Sequence, residues 1–192
     1  LANPALLSQS NDELIVNYYK IISRNMFYTE IPNGVLAMSV AAGYQKNMST
    51  NKRVDSSGEL TTEGYIPNIK VFRLNGMDVV RGFEDDEINR LISNEDISEA
   101  RVDQRAYMAN IKIEPRFFLS DVTMLGIFYD AGRVFVDSYD LGNLRSSAGI
   151  SFKYLTPVGS LDFDYGIKLL RKRDADGTLE SPGRLHVSIG FF

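Results

Sequence analysis

Cysteine and tryptophan are absent from the 192 residues, and histidine occurs once. Without thiols there can be no disulfides and no thiolate metal sites. The lone His186 cannot build a histidine-rich metal cluster, and any Ser/His/Asp triad would have to hang on it. Neither a glycine-rich phosphate loop nor a nucleophile elbow occurs, so no cofactor is expected and enzymatic chemistry has little material to work with. Long apolar runs are also missing. A membrane-spanning helix needs about 20 consecutive apolar residues, whereas the best run, Val35 to Tyr44, is about half that and contains Ser39 and Gly43. The net charge is -4 with an isoelectric point near 5.1. With no basic stripe to displace counterions from phosphate, nucleic acid is not an expected partner. The chain opens at Leu1 with neither a methionine nor a signal segment, as expected of a processed product or a piece of a longer chain.

What is present is alternation. Residues are 44% hydrophobic and 24% charged, and a mean hydropathy of -0.16 does not exclude a membrane barrel, whose strands alternate lipid-facing and lumen-facing side chains. After Gly159, Leu161, Phe163, Tyr165, Ile167 and Leu169 share one face of a strand, against Asp162, Asp164, Gly166 and Lys168. Leu185, Val187, Ile189 and Phe191 oppose Arg184, His186, Ser188 and Gly190, and Ile150, Phe152 and Tyr154 oppose Arg145, Ser147, Ser151 and Lys153. Tyr107, Ala109, Ile111 and Ile113 alternate with Asn110, Lys112, Glu114 and Arg116. Leu36, Met38, Val40, Ala42 and Tyr44 alternate with Ser39, Gly43 and Gln45. Thr123 to Val136 is apolar on both faces apart from Asp130 and Arg133, and Leu14 to Ile31 is rich in β-formers without clean alternation. About seven strands result.

The connectors alternate in length. Ile31-Pro32-Asn33-Gly34, Ser120-Asp121 and Thr156-Pro157-Val158-Gly159 are turn sequences, whereas 47–104, 137–143 and 171–183 are polar loops. Short turns on one side and long loops on the other suit an outer-membrane barrel. A soluble antiparallel sandwich or a soluble eight-stranded barrel also alternates, so pattern alone leaves both open. Segment 47–104 is too long for an inert connection, and its aromatic, glycine and arginine residues require packing.

Within that segment, Val80-Arg81-Gly82-Phe83 resembles the tetrapeptide at the tip of the sixth outside loop in the BamA / bacterial surface antigen superfamily of outer-membrane insertases and translocators. Phe72-Arg73-Leu74-Asn75-Gly76 is similar to the approach to that tip, although Asn75-Gly76 stands where a glycine pair is common. Phe128-Tyr129-Asp130-Ala131-Gly132 resembles a strand of that family, Thr156-Pro157-Val158-Gly159 its late turn, and Gly183-Arg184 through Ile189-Gly190 with Phe192 its closing strand. The landmarks are collinear from about Tyr18 to Phe192. The resemblance implies an all-β fold: an antiparallel transmembrane β-barrel meander, the C-terminal portion of a 16-stranded barrel. Residues 1–192 would be one part of the barrel domain, and loop 47–104 would fold into the lumen.

The resemblance further implies that Arg81 pairs with barrel-wall residues at the positions of Glu114 and Asp130. Alternation independently turns Glu114 inward, and Asp130 lies on the neighbouring strand. An unpaired buried arginine costs several kcal/mol, and its planar fork suits carboxylates as a lysine does not. Gly82 would allow a sharp turn at the tip, with Phe83 packing beside it. Other candidates have plainer readings. Asp162 and Asp164 fit a solvated lumen wall. The acidic run Glu84-Asp85-Asp86-Glu87, with Glu95, Asp96 and Glu99, fits a solvated insertion. His186 fits a lumen hydrogen bond, and Arg171-Lys172-Arg173 an outer rim near lipid phosphates.

The function implied is that of an assembly factor that inserts and folds β-barrel proteins through a lateral seam. The closing strand, with Gly190 and Phe192 at its end, would form one side. The partners would be client outer-membrane β-barrel proteins, outer-membrane lipids and accessory lipoproteins, at the bacterial cell outer membrane. The alternative is a barrel that anchors or translocates a passenger, such as a patatin-like lipase or a secretion system. Neither role requires catalysis by these residues. Purified protein should therefore show no ester turnover that disappears on replacing His186, and such turnover would favour an enzyme.

Overall fold

A computed structural model describes residues 16–48, 52–54, 60–62, 65–75, 78–84, 87–90, 101–102, 104–136, 144–173 and 177–190. Eleven strands are described: β1 (Tyr18–Ile31), β2 (Gly34–Asn47), β3 (Lys52–Val54), β4 (Leu60–Thr62), β5 (Ile66–Pro67), β6 (Arg101–Val102), β7 (Arg105–Ser120), β8 (Thr123–Val136), β9 (Arg145–Thr156), β10 (Gly159–Lys168) and β11 (Gly183–Gly190). Seven of them form one antiparallel sheet in the order β1-β2-β7-β8-β9-β10-β11. The other four form two small antiparallel pairs, β3-β4 and β5-β6, inside the long insertion between β2 and β7. The sheet is therefore a strict meander, interrupted in sequence but not in space. A short helix, α1 (Glu87–Arg90), belongs to the same insertion.

The short connections are tight. Ile31 pairs with Gly34 across Pro32-Asn33, with Asn33 in the left-handed region at φ 56°, a conformation that asparagine tolerates better than most residues. Ser120 pairs with Thr123, and Thr156 with Gly159. These three turns fall at one end of the sheet, and the long connections at the other. At about 3.3 Å per residue, the six strands from β1 to β10 in the sheet, of 10 to 16 residues, are long enough for a tilted bilayer crossing, and β11 is described over 8.

Side chains sort by face as the alternation requires. Phe163, Tyr165, Ile167, Leu185, Val187, Ile189, Ile127, Ile150 and Phe152 are exposed on the outer face. Asn110, Glu114, Asp130, Arg145, Ser147, Ser151, Lys153, Asp164 and Lys168 are buried on the inner one. A soluble sheet would put its apolar face inside; here the arrangement is reversed, as in a membrane barrel with a polar lumen.

The inner face is not wholly polar. Ile66, Phe72, Leu74, Val80, Phe83, Ile88 and Val102 of the insertion pack with Ala41, Ala106, Met108 and Val134 of the wall into one apolar cluster. This packing explains why β8 reads as apolar on both faces: Val134 points inward to meet the loop, while Leu125, Ile127 and Tyr129 point outward. β1 lacks clean alternation for a related reason. Lys20 is inward-facing and holds its ammonium 4.5 Å from the Phe72 ring centre, while Ile22 lines the cavity beside it with Phe72 and Met108.

Spin labels at Phe163, Tyr165, Val187 and Ile189 should report an apolar environment in a bilayer, and labels at Asp162 and Ser188 a polar one. The opposite pattern would rule out this membrane orientation.

Candidate functional site

Two neighbouring strands prepare a seat for the insertion. β7 and β8 pair Lys112 with Asp130 and Ile113 with Tyr129, so Glu114 and Phe128 come next on the inner face. Arg81 lies across this patch. Asp130 accepts three hydrogen bonds from it: from Nε at 2.8 Å, from Nη2 at 2.8 Å and from the backbone N–H at 3.1 Å. Nη1 donates to Glu114 Oε2 at 2.6 Å and stands 3.6 Å from Asp164 Oδ2 on β10. The guanidinium carbon sits 3.6 Å from the centre of the Phe128 ring. The planar fork thus meets one carboxylate with two donors and a second with a third, over an aromatic face.

Burial decides what this is worth. The Arg81, Glu114 and Asp130 side chains are 8%, 6% and 0% exposed, so water does little screening. Arg81 lies on the loop, outside the strands. Burial alone would lower its guanidinium pKa, but the hydrogen bond to and charge of Asp130, with the charges of Glu114 and Asp164, outweigh that and raise it. The second oxygen of Glu114 accepts from Arg116 Nε at 2.9 Å and faces Lys153 Nζ at 3.6 Å. Lys153 in turn donates to Asp162 at 2.8 Å. Cations and carboxylates alternate across the wall, which is how buried charges are made tolerable.

The rest of the tetrapeptide fits around the arginine. Val80 and Phe83 are buried in the apolar cluster, and the cationic groups of Arg145 and Lys168 stand 5.1 and 4.9 Å from the Phe83 ring centre. Gly82 has φ 94°, where a side chain would be strained, and a Cβ on it would lie 2.9 Å from the carbonyl of Gly166. Its N–H donates to His186 Nε2 at 3.0 Å. Two residues before the tetrapeptide, Asp78 accepts from Arg24 Nε at 3.1 Å through both oxygens, while its carbonyl accepts from Asn110 Nδ2 at 2.7 Å.

Several side chains sit differently from their sequence reading. Asp162 and Asp164 are not a solvated wall: Lys153 takes up Asp162, and Asp164 is buried beside Arg81 because the loop covers it. Glu87 is held by the buried Lys168 rather than free in solvent, whereas Glu84 is solvated as read, with a surface pair to Arg184 at 2.7 Å. Asp85, Asp86, Glu95, Asp96, Glu99 and Gly76 lie outside the described residues. In the basic run, Arg171 Nε donates to the Glu180 carbonyl at 2.8 Å and the Lys172 N–H to its carboxylate at 2.9 Å. Gly190 pairs with Ser160 at the end of the final strand pair, and Phe192 lies outside the described residues. An open cavity of about 700 Å³ lies elsewhere, between β1 and the insertion, lined by residues including Lys20, Arg24, Phe72 and Asp78.

Gly166, Phe128 and Asp164 have places at the site that the sequence alone did not assign. Only Gly166 left a trace: a glycine within an otherwise charged inward face marks close backbone approach.

An antiparallel meander with an apolar exterior, a charged interior and a long insertion buried against the inner wall defines an outer-membrane β-barrel, of which this sheet is a fragment. The Omp85 superfamily domain model matches residues 12–192, and the chain belongs to that superfamily, whose members work in outer-membrane protein insertion and translocation. Comparison with curated proteins found no match.

Removing one partner of a buried pair typically costs about 3–5 kcal/mol. Arg81→Ala and Asp130→Ala should each lower unfolding stability on that scale, and together by clearly less than the sum, because both remove one network. Arg81→Lys should recover only part of the loss, keeping the charge without the fork. Denaturant titration of the wild type and the four variants in lipid or detergent checks this, and full additivity would show that the two residues act independently.

Proposed function

We propose that this chain forms part of a BamA-like assembly factor that inserts and folds outer-membrane β-barrel proteins through a lateral seam. The observation that carries the proposal is the pinning of the loop tip: Arg81 is bonded to Asp130 and Glu114 on the inner wall of the sheet that ends in β11, the seam strand under this reading. A seam strand whose pairing loosens can accept another strand by main-chain hydrogen bonding. Gly190 near the end of β11 supplies no side chain to hold the pairing, which weakens it locally. A tip fixed in the lumen keeps the wall in shape while that edge opens. The active element is then an edge rather than a catalytic group, and this reading has no enzymatic step.

The partners under this reading are client outer-membrane β-barrel proteins, whose strands would add to β11, together with outer-membrane lipids at the apolar face and accessory lipoproteins. The role of barrel anchor or translocator for a lipase or secretion system differs in one respect: it needs no strand addition at β11.

That difference is measurable, since the chain has no native cysteine and single cysteines can be placed freely. With cysteine at Ser188, cross-links should form to the strands of barrel precursors in the act of assembly, and Arg81→Ala should reduce assembly of those precursors several-fold. A β11 that cross-links to no precursor while assembly proceeds would overturn the insertase reading.

A further inference from the structure

The strongest contacts of Arg81 are with β7 and β8, yet the backbone beside it touches a different part of the wall. Gly82 and Gly166 approach so closely that a Cβ on Gly166 would lie 2.6 Å from Gly82 N and 2.7 Å from the Arg81 carbonyl carbon. No side chain can occupy that space unless the loop moves. On the next strand His186 Nε2 accepts the Gly82 N–H at 3.0 Å, so this ring nitrogen presents its lone pair to the loop. The two wall positions are diagonal neighbours on one face: β10 and β11 pair Asp164 with His186 and Gly166 with Arg184. Arg184 meets Glu84 just beyond the tetrapeptide, although both side chains are about half exposed and that pair is weak.

We propose that Gly166 and His186 form a second seat for the loop tip, one that ties it to the closing strand, with Gly166 supplying the space and His186 the acceptor. The inference rests on the reading of β11 as the seam strand. A tip held by β7 and β8 alone would be indifferent to β11. A tip that also donates to His186 is coupled to it, and coupling is reciprocal: if an engaged tip favours a paired β11, a paired β11 favours an engaged tip by the same factor. His186 is thus a positioning residue for the seam, acting through the Gly82 amide rather than through chemistry of its own.

The test uses the intact protein in lipid bilayers, spin-labelled at Asn75 in the loop and at Val187 on β11, with the distance distribution read by pulsed electron resonance. Wild type should give one narrow distribution. His186→Gln, which keeps an acceptor, should resemble it. His186→Leu and His186→Phe, which keep bulk but no acceptor, should each raise the displaced population by about 2- to 10-fold, the scale of one neutral hydrogen bond. Gly166→Ala should displace the tip with His186 intact. If His186→Leu does not fold, His186→Phe carries the same comparison. Distributions unchanged in the acceptor-less variants and in Gly166→Ala would overturn the seat, as would His186→Gln behaving like His186→Leu. Displaced tips with normal precursor cross-linking at Ser188 would show that the seat exists but does not govern the seam. Displaced tips in a protein that never cross-links precursors would instead remove the insertase reading and leave the seat standing.

Discussion

Placing a guanidinium inside a wall of strands is unfavourable until its donors are matched, and the geometry around Arg81 depends on meeting that demand. Asp130 takes two side-chain donors and the backbone N–H, Glu114 takes a third side-chain donor, and Phe128 covers the face that has no hydrogens to donate. Each carboxylate would be as costly alone as the arginine, because burial removes water from both signs of charge. The parts are therefore interdependent. The loop cannot leave without stripping Asp130 of three donors, while Glu114 would be left with Arg116 and Lys153 on the wall.

This constraint shapes the rest of the lumen. Once the tip is fixed, the segment leading to it must lie along the wall, and Phe72, Leu74 and Val80 find apolar inward residues at Ala41, Ala106, Met108 and Val134. The inner face is consequently divided: apolar where the insertion covers it, charged around and beyond the tip. The hydrophobic contacts contribute area but little direction, whereas the arginine fork fixes position and orientation. Together they make a long insertion behave as part of the wall.

The clamp on β7 and β8 and the closer approach to β10 and β11 serve different ends. The first is buried and ionic, and its loss would be felt as stability. The second is one neutral hydrogen bond and a glycine contact, far weaker than the ionic clamp. A strong anchor beside a weak one lets a tip stay in the lumen while its hold on the last strand changes.

Much of the fold was legible in the sequence because a strand's side-chain period is two, so that Phe163 and Tyr165 must oppose Asp162 and Asp164 whatever surrounds them. The tight turns at Pro32-Asn33 and Pro157-Val158 were legible for a similarly local reason. Glu114 could be turned inward by the same rule. Facing was unreadable where the insertion packs, because Val134 is apolar on a face that elsewhere is polar, and only the loop above it accounts for that. The sequence likewise cannot say that Gly82 stops against Gly166 and donates to His186, since 84 and 104 positions separate these partners along the chain, or that Glu84, Glu87, Asp162 and Asp164 find cations. Alternation is a property of each strand by itself, so the sequence alone determined which face meets lipid. Which charges meet inside depends on how the insertion between β2 and β7 lies against many strands of the wall at once, and only the tertiary structure decided it.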